Sequence, residues 1–196
     1  HNFPGKIATL IVPADCAWSE TDKSGEVLNS KGPEDIDENL LKEAYKVLTD
    51  KSNCMLFLGG EFLDEESLNV AAKIATKTGA RLGTETFRKR QRRGQYIPVV
   101  EPLPYFSEMA EDFLKGIESI VFVGSKPPVS FFAYPDKKSY LSPENSKLVQ
   151  LATFEQDGRK ALEFLCEMLN AKEISKEFLP SPINTAPLNG ELNPTH

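Results

Sequence analysis

CMLFLGGEFLDEESLNVAAKIATKTGARLGTET, residues 54–86, holds one full period of an alternating architecture. Cys54–Leu58 is a short all-apolar run, which is how a strand buried on both faces reads. Gly59-Gly60 closes it. Asp64 can cap the helix that follows, in which Leu68, Ala71, Ala72 and Ala75 share one face. Gly79 stands where a helix-terminating glycine belongs, and Ala80–Thr84 reads as the next strand. A strand, a glycine turn, a helix and a strand make the unit from which parallel sheets are built.

The same grammar extends to both sides. Asp37 can cap an earlier helix with Leu40, Leu41, Ala44, Tyr45 and Leu48 at helical spacing. A basic stretch and a Pro-rich connection follow residue 86, and then Phe106, Met109, Ala110, Phe113 and Ile117 form another amphipathic face. Ser119–Val123 is a strand ending in Gly124-Ser125; Phe131–Tyr134 and Leu148–Ala152 are further short strand candidates. The last helix carries Leu162, Leu165 and Leu169, with Asp157 near its start. The pattern predicts an α/β fold with a mostly parallel sheet covered on both faces. Ligands in such folds bind beyond the carboxyl ends of the strands, so the loops of interest are Gly59–Phe62, Thr84–Phe87 and Gly124–Pro128.

Composition bounds the function. The 196 residues are 40% hydrophobic and 27% charged, which suffices for a packed core. A net charge of -6 argues against nucleic acid as a partner, and no apolar run approaches a membrane span. The two histidines are residues 1 and 196, so histidine catalysis and His-ligated zinc are not expected of this chain. Cys16, Cys54 and Cys166 are far apart with no CxxC, which disfavours zinc ribbons and disulfide frameworks and fits a reducing cytoplasm. Cys54 and Cys166 read as small core residues.

Both ends look like domain edges. Ile7–Val12 reads as a buried strand ended by Pro13-Ala14-Asp15, with no local partner. Residues 19–36 are polar and read as a linker, and Pro180, Pro182, Pro187 and Pro194 punctuate the other end. The expected organisation is 1–18 as the end of a preceding domain, 19–36 as linker, 37–172 as the central domain and 173–196 as a linker onward.

Several features can carry chemistry, each beside a plainer reading. Gly59-Gly60 before a helix can admit a phosphate, or can simply be a tight turn. Arg88-Lys89-Arg90-Gln91-Arg92-Arg93 can clamp a phosphate-bearing cofactor, or be a solvated, salt-bridged loop. Asp15, beside an apolar run, can be catalytic or can cap a turn. The aromatic loop Phe131-Phe132-Ala133-Tyr134 reads best as packing against another domain or subunit.

Four stretches carry a resemblance. Ile7–Trp18 (IATLIVPADCAW) resembles the last strand of the pyrimidine-binding domain in thiamine diphosphate-dependent enzymes of the acetolactate synthase large-subunit type. Gly83–Phe106 (GTETFRKRQRRGQYIPVVEPLPYF) and Val123–Lys137 (VGSKPPVSFFAYPDK) are similar to the central domain of an acetolactate synthase-like subgroup. Leu188–His196 (LNGELNPTH) resembles the approach to the diphosphate-binding domain.

The resemblance implies a three-layer α/β sandwich with a roughly six-stranded parallel sheet, Rossmann-like and of the DHS-like nucleotide-binding kind. It implies thiamine diphosphate and Mg2+ in a parent 2-oxo acid carboligase or decarboxylase, held by segments outside this chain. The chain would then carry no catalytic residue and no metal ligand, and would be inactive alone. In some members the central domain holds FAD or ADP. By position those contacts fall on Gly59, Gly60, Thr84, Glu85, Gly124 and Ser125, with Arg88 as a phosphate partner; Glu61 stands where flavin-binding members commonly carry a third glycine. The implied partners are the flanking domains and further copies, as a dimer or tetramer, without nucleic acid or membrane. Two rivals predict different behaviour: a free-standing FAD-, NAD- or ADP-binding module, or an interaction domain without ligand.

Overall fold

A computed structural model describes residues 3–50 and 53–181. Its frame is a five-stranded parallel sheet in the order β3-β2-β1-β4-β5. The strands are β1 (Cys54–Leu58), β2 (Arg81–Thr84), β3 (Glu101–Pro102), β4 (Ser119–Val123) and β5 (Lys147–Ala152). The helices are α1 (Ala14–Trp18), α2 (Glu38–Thr49), α3 (Glu65–Thr78), α4 (Ser107–Leu114) and α5 (Gly158–Met168). The α/β class is as expected, with five strands among the described residues rather than about six. β3, at one edge, is two residues long and bounded by Pro102, which has no N–H for a longer ladder.

Side-chain alternation along the strands divides the core in two. Leu56 and Leu58 of β1 and Val121 and Val123 of β4 face one layer, packed with residues of α2, α3 and α5. Met55, Phe57, Ile120 and Phe122 face the other, packed with Ala110 and Leu114 of α4. Both central strands are buried along their full length. Phe57 and Phe122 meet edge to face with centroids 5.7 Å apart. Each such side chain removed from water contributes about 1.5–3 kcal/mol.

The helix boundaries follow local chemistry. Asp37 accepts from the Asn39 amide at 2.8 Å. Asp64 accepts from the amides of Glu66 and Ser67, and Asp157 from that of Lys160. Each substitutes for hydrogen bonds the first helical turn lacks. Gly79 ends α3 at φ +77°, where a side chain would be strained.

Four expectations are corrected. Ile7–Val12 is not a strand: it has no ladder, and Ile7 and Leu10 are 98% and 86% exposed. Its β-rich composition is genuine, but the described residues offer it no partner strand. Pro13-Ala14-Asp15, read as a stop, instead opens α1. Phe131–Tyr134 forms no strand and lies in an exposed loop; only Val129 and Tyr140 pair there, as an isolated bridge. Phe106 and Met109 are exposed, because α4 turns Ala110 and Leu114, with Phe113 in part, toward the core, whereas Ile117 beyond its end is buried as expected. Cys54 is buried as expected, whereas Cys166 is only partly so. Residues 19–36 lack regular structure, although the Glu34 amide donates to the Glu155 carbonyl at 2.8 Å. Leu188–His196, with Pro182, Pro187 and Pro194, lies outside the described residues.

Candidate functional site

β1 and β4 are neighbours whose connections leave in opposite directions, and the gap beyond their carboxyl ends is where such sheets offer a crevice. Both strands run into glycine there. The Gly59 amide donates to the Val123 carbonyl and the Gly124 amide to the Ala152 carbonyl, each at 2.9 Å. A Cβ on Gly59 would lie 2.7 Å from the Gly124 carbonyl oxygen, 2.8 Å from Ser125 Cβ and 3.0 Å from Glu85 Cδ. Five of the residues expected to contact a nucleotide therefore converge: Gly59, Gly60, Glu85, Gly124 and Ser125. Ser125 is buried and its hydroxyl donates to the Phe57 carbonyl. Thr84 ends β2 in register with Leu58 and is fully buried; its hydroxyl has no hydrogen-bond partner. Arg88 stands apart, its guanidinium donating to the Glu85 carbonyl at 3.3 Å.

A pyrophosphate would need free amides at a helix N-terminus and room to approach them. The protein's own groups take both. At α3, Asp64 occupies the first-turn amides, accepts from the Ser67 hydroxyl at 2.6 Å and from Arg159 Nη2 at 2.9 Å. At α5, Asp157 occupies the Lys160 amide, and the Phe62 ring lies against Gly158 and Gly124, within 2.3–2.8 Å of where their Cβ atoms would be. The Glu85 carboxyl lies over Gly59, near the Lys126 amide. Burial raises the Glu85 pKa and that amide partly offsets the rise. A ring and a carboxylate thus fill the crevice, and these residues do not fit a dinucleotide phosphate there.

Beside Glu85 a cavity of about 250 Å³ opens between the loops after β2 and β4. Its walls are Phe57, Phe87, Leu103, Pro128, Val129 and Phe131. Phe87 and Phe131 meet at 4.8 Å between centroids, and Tyr105 stacks on Phe131 at 5.6 Å. Phe131 and Phe132 remain about half exposed, at the rim of this aromatic cluster.

Part of the basic run is spent within the chain. Lys89 pairs with Glu61, Arg92 Nε approaches Glu65 at 3.9 Å, and the Arg92 amide donates to the Leu63 carbonyl. The loop is laid over the acidic turn before α3, with exposed pairs worth about 0–1 kcal/mol each. Among the described residues no group of three or more His, Cys, Asp or Glu is placed to hold a metal, and no helix is long and apolar enough to cross a membrane.

No family model matches the chain. A protein of Mycobacterium tuberculosis named putative acetolactate synthase large subunit IlvX is 37% identical over 150 residues, covering 75% of this chain. Over those residues the chain is similar to a protein of the acetolactate synthase large-subunit type. It spans 28% of that relative's length. Solved structures agree on the fold. A thiamine diphosphate-dependent 4-hydroxybenzoylformate decarboxylase of Rhodococcus jostii is 16% identical, with a TM-score of 0.55 over 92% of this chain and 35% of its own. A putative thiamin diphosphate-dependent enzyme of Mycobacterium smegmatis is 19% identical, with a TM-score of 0.57 over 83% of this chain and 34% of its own.

Sequence reading marked the loops Thr84–Phe87 and Gly124–Pro128 that border the cavity, and missed the role of the Phe62 ring. Phe62-Leu63 is an apolar pair inside an otherwise acidic turn, a signal that something in the turn is buried. That the ring would pair with glycines 62 and 96 residues later is a tertiary fact with no local trace.

Proposed function

We propose that this chain is the central domain of a thiamine diphosphate-dependent 2-oxo acid carboligase or decarboxylase, and that it contributes structure rather than catalytic groups. The observation that carries the reading is the 37% identity to an acetolactate synthase-type relative of which the chain spans 28%. In such an enzyme thiamine diphosphate, with Mg2+ on its diphosphate, supplies the electron sink for the carbanion left by decarboxylation. The residues that hold that cofactor would lie in flanking domains. This chain would set the spacing between them, with the exposed apolar segment Ile7–Val12 entering the sheet of the preceding domain.

The filled crevice at Gly59 and Gly124 supports a structural role over a free-standing FAD-, NAD- or ADP-binding module. The exposed aromatic loop at Phe131 and Phe132 is consistent with assembly into a cytoplasmic homo-oligomer, a dimer or tetramer. The test is CO2 release from a panel of 2-oxo acids with thiamine diphosphate and Mg2+. The protein carrying this sequence with its flanking segments should turn over, and the 196-residue chain should not. Turnover by the chain alone, or none by the longer protein with any 2-oxo acid, would overturn the reading.

A further inference from the structure

The cavity beside Glu85 has the makings of a ligand site that adjoins the filled crevice and shares Glu85 with it, and its chemistry selects what could enter. The body of the cavity is apolar and aromatic, with Phe57, Phe87, Leu103 and Phe131 among its walls. Such walls take a flat ring in offset or edge-to-face contact. About 250 Å³ holds one or two rings, below the range for drug-sized ligands.

The polar groups fix the sign. The Glu85 carboxyl lines the cavity, with the Lys126 amide beside it. An ionised carboxylate can accept about four hydrogen bonds, so acceptor capacity remains. Thr86 also lines the cavity, but its hydroxyl proton is committed to the Leu103 carbonyl at 2.9 Å, leaving it an acceptor. Lys126 lines the cavity too, and Arg88 lies at its edge. Lys126 Nζ lies over the Phe154 ring, 5.9 Å from its centroid, and Arg88 donates to the Glu85 carbonyl. With the Lys126 ammonium turned toward the Phe154 ring, which is not a wall of the cavity, the Glu85 carboxylate is the charge set among the ring walls, and it calls for a ligand that brings donors and positive charge, which the ring faces also favour.

The geometry points to this cavity as a binding site for a small aromatic cation of the arylamidine or arylalkylammonium class, held by Glu85 and walled by Phe87 and Phe131. This does not depend on the proposed enzyme role, since every residue involved lies in the described chain.

The test uses the 196-residue chain and calorimetric titration with benzamidine, with benzoate as the charge-reversed control. Benzamidine should bind saturably below about 10 mM and benzoate should not. Glu85→Gln keeps the shape and an acceptor but removes the charge. It should weaken benzamidine by about 10- to 100-fold, the loss expected when a charge-assisted hydrogen bond becomes neutral. Val129→Trp, at a half-exposed wall position, should block binding with an unchanged circular dichroism spectrum. Absence of saturable benzamidine binding would overturn the proposal. So would benzoate binding equally well, or both variants binding like the parent chain.

Discussion

Gly158→Ala is a direct probe of whether Phe62 fills the crevice. Gly158 is the first residue of α5, where alanine is ordinarily the better helix former by up to about 1 kcal/mol. Here the added Cβ would lie 2.6 Å from Phe62 Cε2 and 2.8 Å from both Cδ2 and Cζ. All three contacts are with one ring. The ring would have to retreat by about 0.8 Å to reach ordinary contact, but it is 5% exposed and its Cδ2 and Cε2 already crowd Gly124 as well. Overpacking of this kind costs about 1–3 kcal/mol. The net expectation is destabilisation by about 1–2 kcal/mol. Phe62→Leu deletes Cε2 and Cζ and gives the side chain other rotamers. In that background Gly158→Ala should be neutral or slightly stabilising, a coupling of about 1–2 kcal/mol in a double-mutant cycle. The assay is urea denaturation of the four proteins. Stabilisation by Gly158→Ala alone, or a coupling below about 0.5 kcal/mol, would refute the placement of the ring.

Other consequences follow from neighbouring groups. Asp64→Ala removes the cap of α3 and leaves the buried Ser67 hydroxyl without its carboxylate, so urea denaturation should show a loss of about 1–2 kcal/mol. Burial raises the Glu85 pKa in the folded chain, so between its unfolded and folded values the native state binds more protons and stability falls as pH rises through the folded value. Glu85→Gln should remove that component, and its urea midpoint relative to the parent should improve on going from pH 5 to pH 8. Among the cysteines, exposed Cys16 should react first with a thiol reagent under native conditions. Cys54, 2% exposed and with its thiol pKa pushed up by burial, should react only on unfolding, as peptide mapping of the labelled chain can check.

The fold was legible where one residue decides a boundary. Asp37, Asp64 and Asp157 act as caps, Gly79 as a stop, and the runs Cys54–Leu58 and Ser119–Val123 as fully buried strands. It was not legible where the outcome depends on a partner. Ile7–Val12 has a strand's composition and Phe131–Tyr134 its aromatic content, but pairing is supplied by a neighbour, and composition is silent on whether one is present. The same limit applied at the site. Glycines at the ends of β1 and β4 correctly marked the convergence point. What occupies it, the Phe62 ring and the Glu85 carboxyl, depends on side chains brought in from other elements. The basic run shows the reverse case: its charge density suggested a ligand clamp, and its partners Glu61 and Glu65 were already visible in the acidic turn.

The central claim is that this chain is a noncatalytic segment of a larger thiamine diphosphate enzyme. The most direct measurement is calorimetric titration of thiamine diphosphate with Mg2+ into two proteins, the 196-residue chain and the longer protein that contains it. The account predicts saturable binding by the longer protein and none by the chain alone. Binding by the isolated chain, or its absence from the longer protein, would contradict it.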